Sequence, residues 1–320
     1  MSVSNKSSGE ILFAQQIFQV VLSEGAIIKI IFATFLSIFF IYLNIIMVYT
    51  LWNKPVFKET PRYILFAHML LNDSVQLLFS SLLLIFSLSL LKLVTAACAF
   101  IVCVTGTTSR NAPLNLAVMS LERYVAICFP LKHVKIATQR RTHIAIGIIW
   151  LIGSINFAID VFYIIVIDYN YFTSQVFCGR ETLFVKQWQT DVYQGFNIIY
   201  FVSVSMIIIF TYISIFITAR SISCNKDSAT KAHKTVLLHL IQLGLCLTSY
   251  LFSIIEQAAS KIGNIKLYID LRYINYLFVL VLPRCLSPLI YGLRDDAVRP
   301  LFVYYFLCAT GKHKPTVNVH

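Results

Sequence analysis

Charged residues are scarce in this chain of 320 residues. They make up 12% of the sequence, against roughly 25% in typical globular domains. Glycine and proline are also few, at 11 and 8 residues, which excludes collagen-like and low-complexity chains. Hydrophobic residues reach 58% and the mean hydropathy is +0.77, so a single soluble core could not hide them all from water. The composition therefore predicts an integral membrane protein.

Motifs of enzymes and cofactor-binding proteins are absent as well. The sequence contains no glycine-rich phosphate loop, no HExxH zinc pair, no nucleophile elbow and no internal repeat. Its histidines, among them His133 and His239, lack the spacing to cysteines or carboxylates that metal sites show. We therefore expect no catalytic activity, no metal and no cofactor.

The net charge of +12 has two interpretations. Nucleic-acid binding requires basic residues clustered on a soluble surface, whereas lysine and arginine also mark the cytoplasmic loops of membrane proteins. The order of the charges favours the second interpretation, because most of them lie between long uncharged apolar stretches. The expected partner is therefore the lipid bilayer and not nucleic acid.

Seven stretches are long enough to cross a membrane, which takes about 20 mostly apolar residues in a helix. The predicted fold class is therefore all-α, a seven-transmembrane helix bundle. The predicted spans are residues 30–53, 63–91, 93–127, 142–167, 192–219, 235–259 and 272–293. We divide the chain into an N-terminal tail at 1–28, a transmembrane domain at 29–293 and a C-terminal segment at 294–320 with a short amphipathic helix.

The basic residues also predict the orientation of the bundle. If the N-terminus is extracellular, the cytoplasmic segments hold twice as many lysines and arginines as the extracellular segments, as the positive-inside rule requires. The C-terminus is then cytoplasmic, because the number of spans is odd. On the extracellular tail, Asn5-Lys6-Ser7 is an acceptor pattern for glycosylation of Asn5.

Ionisable residues at membrane depth are functional candidates, because burying them in lipid is costly. Glu122, Arg123 and Tyr124 lie at the inner end of the third span; alternatively, the Arg123 side chain merely extends to the interface. Cys98 precedes Arg123 by 25 residues, about 37 Å along a helix, which places it at the outer end. Cys178, in the outer loop after span four, shares this oxidising side. The two cysteines are expected to form a disulfide; the alternative is two unrelated thiols.

Residues 119–130, MSLERYVAICFP, closely resemble the M-x-x-D-R-Y-V-A-I-C-x-P stretch of odorant receptors, a branch of the rhodopsin-like G-protein-coupled receptors. Glutamate here replaces the usual aspartate. Three further blocks resemble the family in the right order, namely PRY at 61–63 with Asp73, KAHKT at 231–235 followed by HL at 239–240, and SPLIY at 287–291. The phrase PRCLSP at 283–288 is similar to the fish-type members.

The resemblance implies a two-state switch at the cytoplasmic ends of the spans. Arg123 is held by acidic neighbours at rest and turns to the G protein on activation, while Glu122 steers it from the side. Two tyrosines would line the opened crevice. Ser287 stands where the family has asparagine, which weakens a polar network with Asp73. The full set of switch residues is Glu122, Arg123, Tyr124, Tyr212, Ser287, Pro288, Tyr291 and Asp73.

The basic loop at 132–141 and Pro130 are expected to form part of the G-protein docking surface, together with Lys231 and Lys234. Ordinary positive-inside anchoring is the alternative for these charges. Cys308 follows a short predicted surface helix, where it would carry a palmitate or remain a free thiol.

The ligand pocket is expected between the third, fifth, sixth and seventh spans, toward the outside. Thr105 lies 18 residues before Arg123, five turns of about 3.6 residues, so both face the bundle axis, and Ser109 lies about 40° from that line. Arg110 points about 140° away, toward a neighbouring span, where it would bind an anionic ligand group or pair internally. Further candidates, for which simple packing is the alternative, are Tyr250, Glu256, Tyr273 and Tyr276.

The resemblance implies an odorant receptor that binds a small odorant and activates a heterotrimeric G protein of the stimulatory olfactory type, raising cyclic AMP. It also implies a multi-pass protein in the plasma membrane of olfactory cilia. A non-olfactory receptor for a lipid or peptide is the alternative, which the block at 231–240 disfavours. A transporter or channel would show repeated halves and ionisable residues along a midplane path, whereas most charges here lie at the membrane faces.

Overall fold

The computed structural model describes residues 24–88, 91–167, 169–179, 183, 186–221, 237, 241, 244, 265–286 and 297–307. Most of these residues are helical. The elements are, in chain order, α1 (Glu24–Trp52), α2 (Pro55–Glu59), α3 (Pro61–Leu88), β1 (Lys92–Val94), α4 (Thr95–Cys128), α5 (Pro130–Ile136), α6 (Gln139–Ile167), β2 (Gln175–Phe177), α7 (Gln187–Ser221), α8 (Ile265–Asn275) and α9 (Arg299–Phe306). A 3-10 helix at Tyr169–Thr173 precedes β2, and a π-helical turn at Tyr276–Val281 continues α8.

Four of these helices have the length and composition to cross a membrane. Their apolar stretches are Ile27–Trp52 in α1, Pro61–Phe86 in α3, Gln139–Ile167 in α6 and Gln187–Thr218 in α7. They coincide with the first, second, fourth and fifth predicted spans. A shorter apolar helix at Tyr273–Leu286 lies within the seventh predicted span. The sixth predicted span, at 235–259, lies outside the described residues apart from three isolated positions.

The helix α4 covers the third predicted span and lies at the centre of the described bundle, where it packs against α3, α6 and α7. Its 34 residues extend about 50 Å, which exceeds the hydrocarbon thickness of about 30 Å. It is more polar than the other spans, and Thr107, Thr108, Asn111 and Asn115 are all buried. Polar side chains at this depth are stabilised by facing other helices, where they find hydrogen-bond partners that lipid cannot offer.

Two glycines allow α4 and α6 to pack closely against each other. A Cβ atom at Gly106 would overlap the ring of Phe157, and a Cβ atom at Gly153 would overlap the side-chain amide of Asn111. Small residues at such contacts let helix backbones approach each other in a membrane. The close approach also brings the carbonyl of Gly153 within reach of α4 side chains.

A short antiparallel sheet at the outer end of α4 departs from the all-α prediction. β1 pairs with β2, with Lys92 opposite Phe177 and Val94 opposite Gln175. The chain preceding β2 also holds the start of α4, because the backbone N–H of Thr95 donates to the carbonyl of Ser174 at 2.8 Å. The outer loop after α6 thus folds back over α4. Hydropathy did not predict this sheet, because the pairing joins segments that are distant in sequence.

The main apolar core joins α1, α3, α4 and α7, and α9 packs onto it. Met47, Leu70 and Ile208 lie at its centre and are fully buried. From α9 the core receives Leu301 and Phe302. This helix lies in the segment that the sequence predicts to contain a short amphipathic helix, and it begins with a proline in its first turn, a position that proline favours.

Candidate functional site

A disulfide bond joins the outer end of α4 to the loop that covers it. The bond links Cys98 and Cys178, whose Cα atoms are 5.3 Å apart. Both cysteines are buried. Next to them, the hydroxyl of Thr95 donates to the carbonyl of Ser174 at 3.0 Å. The loop is thus attached to α4 by a covalent bond and by hydrogen bonds.

At the opposite end of α4, Glu122 contacts two basic side chains. Its Oε2 atom lies 3.8 Å from Nε of Arg123, the neighbouring residue. Its Oε1 atom lies 3.1 Å from Nε2 of His133 in α5. Glu122 therefore lies between Arg123 and the short helix that follows α4. The sequence excluded His133 from a metal site but did not predict its pairing with Glu122.

Tyrosine rings connect the inner end of α4 to α7. The ring of Tyr124 meets the ring of Phe129 edge-on at 5.6 Å and the ring of Phe210 in α7 at 5.5 Å. On α7 the ring of Tyr212 stacks on Phe216, with centroids 6.4 Å apart. A motion that separates the inner ends of these helices must therefore break the Tyr124–Phe210 contact.

On the short helix α5, beside this end of α4, apolar side chains are left uncovered by the rest of the protein. Leu131 is 94% exposed and Val134 is 79% exposed. Lys132 and Lys135, adjacent to them, are exposed as well. Contiguous exposed apolar surface rimmed by charge is typical of a protein-binding site.

The predicted switch residue of α3, Asp73, lies deep in the bundle. Asp73 is buried, and its neighbour Asn72 donates from Nδ2 to the carbonyl of Thr108 in α4 at 2.9 Å. Gln76, one turn further, accepts a hydrogen bond from the Thr108 hydroxyl. Several predicted residues lie outside the described residues, namely Asn5, Tyr250, Glu256, Ser287, Pro288, Tyr291 and Cys308.

Of the axis-facing pocket candidates, Ser109 has the most open surroundings. It is exposed, whereas Ala112 and Leu116, the next residues along the same face of α4, are buried. Pro113 lacks an N–H, so the carbonyl of Ser109 is left without its helical donor. Thr105 is half-buried, and its hydroxyl donates to the carbonyl of Ile101 at 2.8 Å. Ser109 is therefore the more accessible of the two predicted pocket residues that face the axis.

Two tyrosines of the seventh predicted span, Tyr273 and Tyr276, contact α1. Lys29 lies over the ring of Tyr273 at 5.6 Å and pairs with Asp270 at 2.7 Å. The hydroxyl of Tyr276 lies 2.8 Å from the hydroxyls of both Ser37 in α1 and Ser81 in α3. Tyr276 therefore acts as a tie between three helices, a role that its position in the sequence did not reveal.

Arg110 lies away from the bundle axis, between α4, α6 and α7. Its Nη1 atom donates to the carbonyl of Gly153 at 3.0 Å. Its guanidinium lies 5.6 Å from the ring centroid of Phe157 and 5.4 Å from that of Tyr193. Its own carbonyl accepts a hydrogen bond from the hydroxyl of Tyr200. Its bearing of about 140° from the axis, estimated from the helical repeat, fits these contacts.

A chain of hydrogen bonds that the sequence did not predict joins α6, α3 and α4. Nε1 of Trp150 donates to Nε2 of His68 at 2.9 Å. His68 Nδ1 lies 3.2 Å from Oδ1 of Asn115, whose Nδ2 donates to the carbonyl of Leu65 at 3.1 Å. Since Nε2 accepts, the ring proton resides on Nδ1 and the imidazole is neutral. The sequence contains only a weak indication of these hydrogen bonds, because a lone histidine in an apolar span does not identify its partners.

Replacing Trp150 with phenylalanine is expected to lower the stability of the receptor by about 1 kcal/mol, because Nε2 of His68 loses its donor. The change should appear as a lower melting temperature of the purified receptor. Trp52→Phe is the matched control, since the Trp52 ring is 60% exposed and should leave the melting temperature unchanged. Equal melting temperatures for the two variants would show that this hydrogen bond contributes nothing.

Comparison with known proteins identifies the class of the chain. Residues 27–291 match the family described as 7 transmembrane receptor (rhodopsin family). The chain therefore belongs to the rhodopsin family of seven-transmembrane receptors. It is a receptor and not an enzyme, and membership supports a multi-pass membrane protein built as a seven-helix bundle. The family implies a small-molecule ligand and a G protein as partners.

The relatives that the chain resembles are odorant and olfactory receptors. It is 33% identical to odorant receptor 131-2 of Danio rerio over 322 residues, which cover 98% of this chain and 94% of the relative. It is 26% identical to olfactory receptor 5G29 of Mus musculus over 295 residues, 84% and 88% of the two chains. Olfactory receptor 52A5 of Homo sapiens is 30% identical over 207 residues, 60% and 61% of the two chains. The resemblance to odorant receptors in the sequence motifs is thus confirmed.

Proposed function

We propose that this receptor binds a small odorant within its helical bundle and activates a heterotrimeric G protein of the stimulatory olfactory type, so that cyclic AMP rises. The observation that carries the proposal is the similarity to an odorant receptor along almost the whole chain. The relatives described above are all odorant or olfactory receptors, which disfavours a lipid or peptide ligand. The site of action is the plasma membrane of olfactory cilia.

The same proposal includes the orientation of the chain. The tail at 1–28 is extracellular, with a glycan on Asn5, and the segment at 294–320 is cytoplasmic. The disulfide of Cys98 supports this orientation, because it lies at the end of α4 opposite Arg123 and disulfides persist on the oxidising side of a membrane.

The odorant pocket of this proposal lies around Thr105 and Ser109 of α4. The exposed hydroxyl of Ser109 and the carbonyl freed by the following proline offer a donor and an acceptor to a ligand. Tyr250, Glu256 and Tyr273 remain candidates for its other walls.

The G-protein site of this proposal lies at the inner end of α4. Arg123 leaves Glu122 on activation and turns toward the G protein, and the half-buried pair at 3.8 Å is loose enough to open at small cost. The exposed apolar residues of α5, Leu131 and Val134, contact the G protein beside it. Tyr212 and Tyr291 line the cytoplasmic crevice that opens on activation.

The test is the cyclic AMP response of cells that express the chain together with an olfactory-type G protein. An odorant panel is applied, and the receptors at the cell surface are counted in parallel. A dose-dependent rise that cells without the receptor lack supports the proposal. Silence toward the whole panel, with the receptor abundant at the surface, contradicts it.

Replacing Leu131 with serine is expected to weaken coupling without affecting the surface level. Loss of one central apolar contact costs roughly 1–2 kcal/mol at a protein interface, so the odorant potency for cyclic AMP should fall about tenfold. Leu91→Ser is the matched control, because Leu91 is also exposed but lies beside β1, at the other end of the bundle. If the odorant has equal potency at the two variants, α5 does not contribute to the contact with the G protein.

A further inference from the structure

The guanidinium of Arg110 is a buried cation that has no anionic partner among the described residues. The residue is 6% exposed, and its described partners are the carbonyl of Gly153 and two aromatic rings. Its Nη2 atom is buried and has no hydrogen-bond partner within the part of the chain that the structure describes. Ion pairs of the described residues involve other basic side chains. One face of this cation is therefore neither neutralised nor fully hydrogen-bonded.

A second unpaired donor lies on the same side of α6. Asn156 is buried, and its Nδ2 atom also has no hydrogen-bond partner among the described residues. Asn156 follows Gly153 by three residues and directly precedes Phe157, and both of those residues contact Arg110. Two buried N–H donors, Nη2 of Arg110 on α4 and Nδ2 of Asn156 on α6, therefore lack a hydrogen-bond acceptor among the described residues. The first of them belongs to a cation.

The carboxylate on this face of α6 does not serve as that acceptor. Asp160 is buried one turn beyond Phe157, and its Oδ1 atom accepts from Nε2 of Gln189 at 3.1 Å. Gln189 in turn accepts from the backbone N–H of Lys186 at 3.0 Å. Asp160 is therefore engaged with α7 at the outer end of the helices.

We propose that Arg110, with Asn156 beside it, binds the anionic head of a free small-molecule odorant, such as a carboxylate or sulfonate, between α4, α6 and α7. A guanidinium offers a planar pair of donors that matches a carboxylate or sulfonate. The rings of Phe157 and Tyr193 flank the apolar part of the ligand next to that head. The inference rests on the proposed odorant-receptor function and adds to the pocket at Thr105 and Ser109 a separate site for anionic ligands, on the side of α4 that faces α6 and α7.

The depth of the site in the membrane favours a free ligand over the head group of a bilayer lipid. Arg110 follows Cys98 by 12 residues, about 18 Å along the helix from the outer end. The site is therefore near the middle of the hydrocarbon, whose thickness is about 30 Å. The phosphate of a bilayer lipid stays at the surface and does not reach this depth.

Binding is tested on the purified receptor in nanodiscs of neutral lipid, by the shift of its melting temperature with ligand concentration. The probes are hexanoate, benzoate and hexanesulfonate, each compared with the uncharged hexanol or benzyl alcohol. We expect apparent affinities for the anions about 30-fold tighter than for the alcohols, as is typical of a buried charge-assisted contact. Arg110→Gln should reduce this ratio to below about threefold, with Arg110→Lys in between, because an ammonium lacks the planar pair of donors.

The matched control is Arg284→Gln, which removes another buried arginine whose Nη1 is bonded to the carbonyls of Val279 and Leu280 in its own helix. It should keep the wild-type preference for anions. If Arg110→Gln fails to fold, Asn156→Ala serves in its place, with an expected loss of severalfold in anion affinity.

Three outcomes would overturn the inference: no stabilisation of the wild type by any anion, an unchanged preference in the Arg110 or Asn156 variant, or stabilisation by anionic lipid that Arg110→Gln removes. The melting assay needs no G protein, so its result is separate from that of the cyclic AMP assay. Anion binding in a receptor that never signals would leave the inference standing while the proposed function fails. Signalling to uncharged odorants without anion binding would support the proposed function and contradict the inference.

Discussion

Replacing Arg123 with alanine is expected to abolish the odorant-evoked rise in cyclic AMP while the number of receptors at the cell surface stays unchanged. We expect the two effects to separate because the ion pair of Arg123 with Glu122 is long, at 3.8 Å between Nε and Oε2, and Glu122 keeps its contact with His133 at 3.1 Å when Arg123 is removed. In the proposed contact with the G protein, in contrast, we expect no other side chain at the inner end of α4 to replace Arg123.

The control for this experiment is Arg62→Ala. Arg62 lies over the ring of Tyr63 at 5.3 Å, at the start of α3 near the same membrane face, so its loss alters the local charge to the same extent. It should leave both the response and the surface level near those of the wild type. Full signalling by Arg123→Ala would contradict the switch, and equal losses in both variants would indicate a general effect of charge.

Much of the architecture could be predicted because the relevant signals are local. An apolar stretch bounded by charge predicts a span regardless of what surrounds it, and this prediction agrees with α1, α3, α6 and α7. The outer position of Cys98 likewise follows from the rise of a helix, and Cys98 and Cys178 do form a disulfide. These inferences require only a distance along one helix or knowledge of the side of the membrane on which a residue lies.

Contacts between helices could not be predicted in the same way. The bonds of His68 with Trp150 and Asn115 depend on the rotation and spacing of three helices. The same is true of the tie between Tyr276, Ser37 and Ser81. A helical repeat predicts the bearing of a side chain to within tens of degrees, whereas a hydrogen bond requires placement within about 0.5 Å.

Arg110 illustrates both what a helical repeat can predict and what it cannot. Its bearing indicated a neighbouring helix, and it does contact α6 and α7. The carbonyl that it binds is reachable because residue 153 is a glycine, next to which Asn111 packs without a Cβ in the way. A local pattern did not reveal that a glycine 43 residues away would supply the partner of this arginine.

Removing the disulfide with Cys98→Ser is expected to destabilise the receptor by about 4 kcal/mol, because the bond closes a loop with a sequence separation of 80 residues. The purified variant should melt at a much lower temperature, and few receptors should reach the cell surface. Loss of the bond also frees the loop that β2 holds over the outer end of α4, so any odorant response that remains should be weak.

The double variant distinguishes a disulfide from two separate thiols. If Cys98 and Cys178 act as one bond, Cys98→Ser, Cys178→Ser and the double variant should lose the same stability, since each removes the same link. Cys103→Ser is the control, because Cys103 is a free, half-buried cysteine further along α4 and should leave the melting temperature within a few degrees of the wild type. Losses that add in the double variant would contradict the bond. Equal losses would show that one covalent link joins the outer loop to α4.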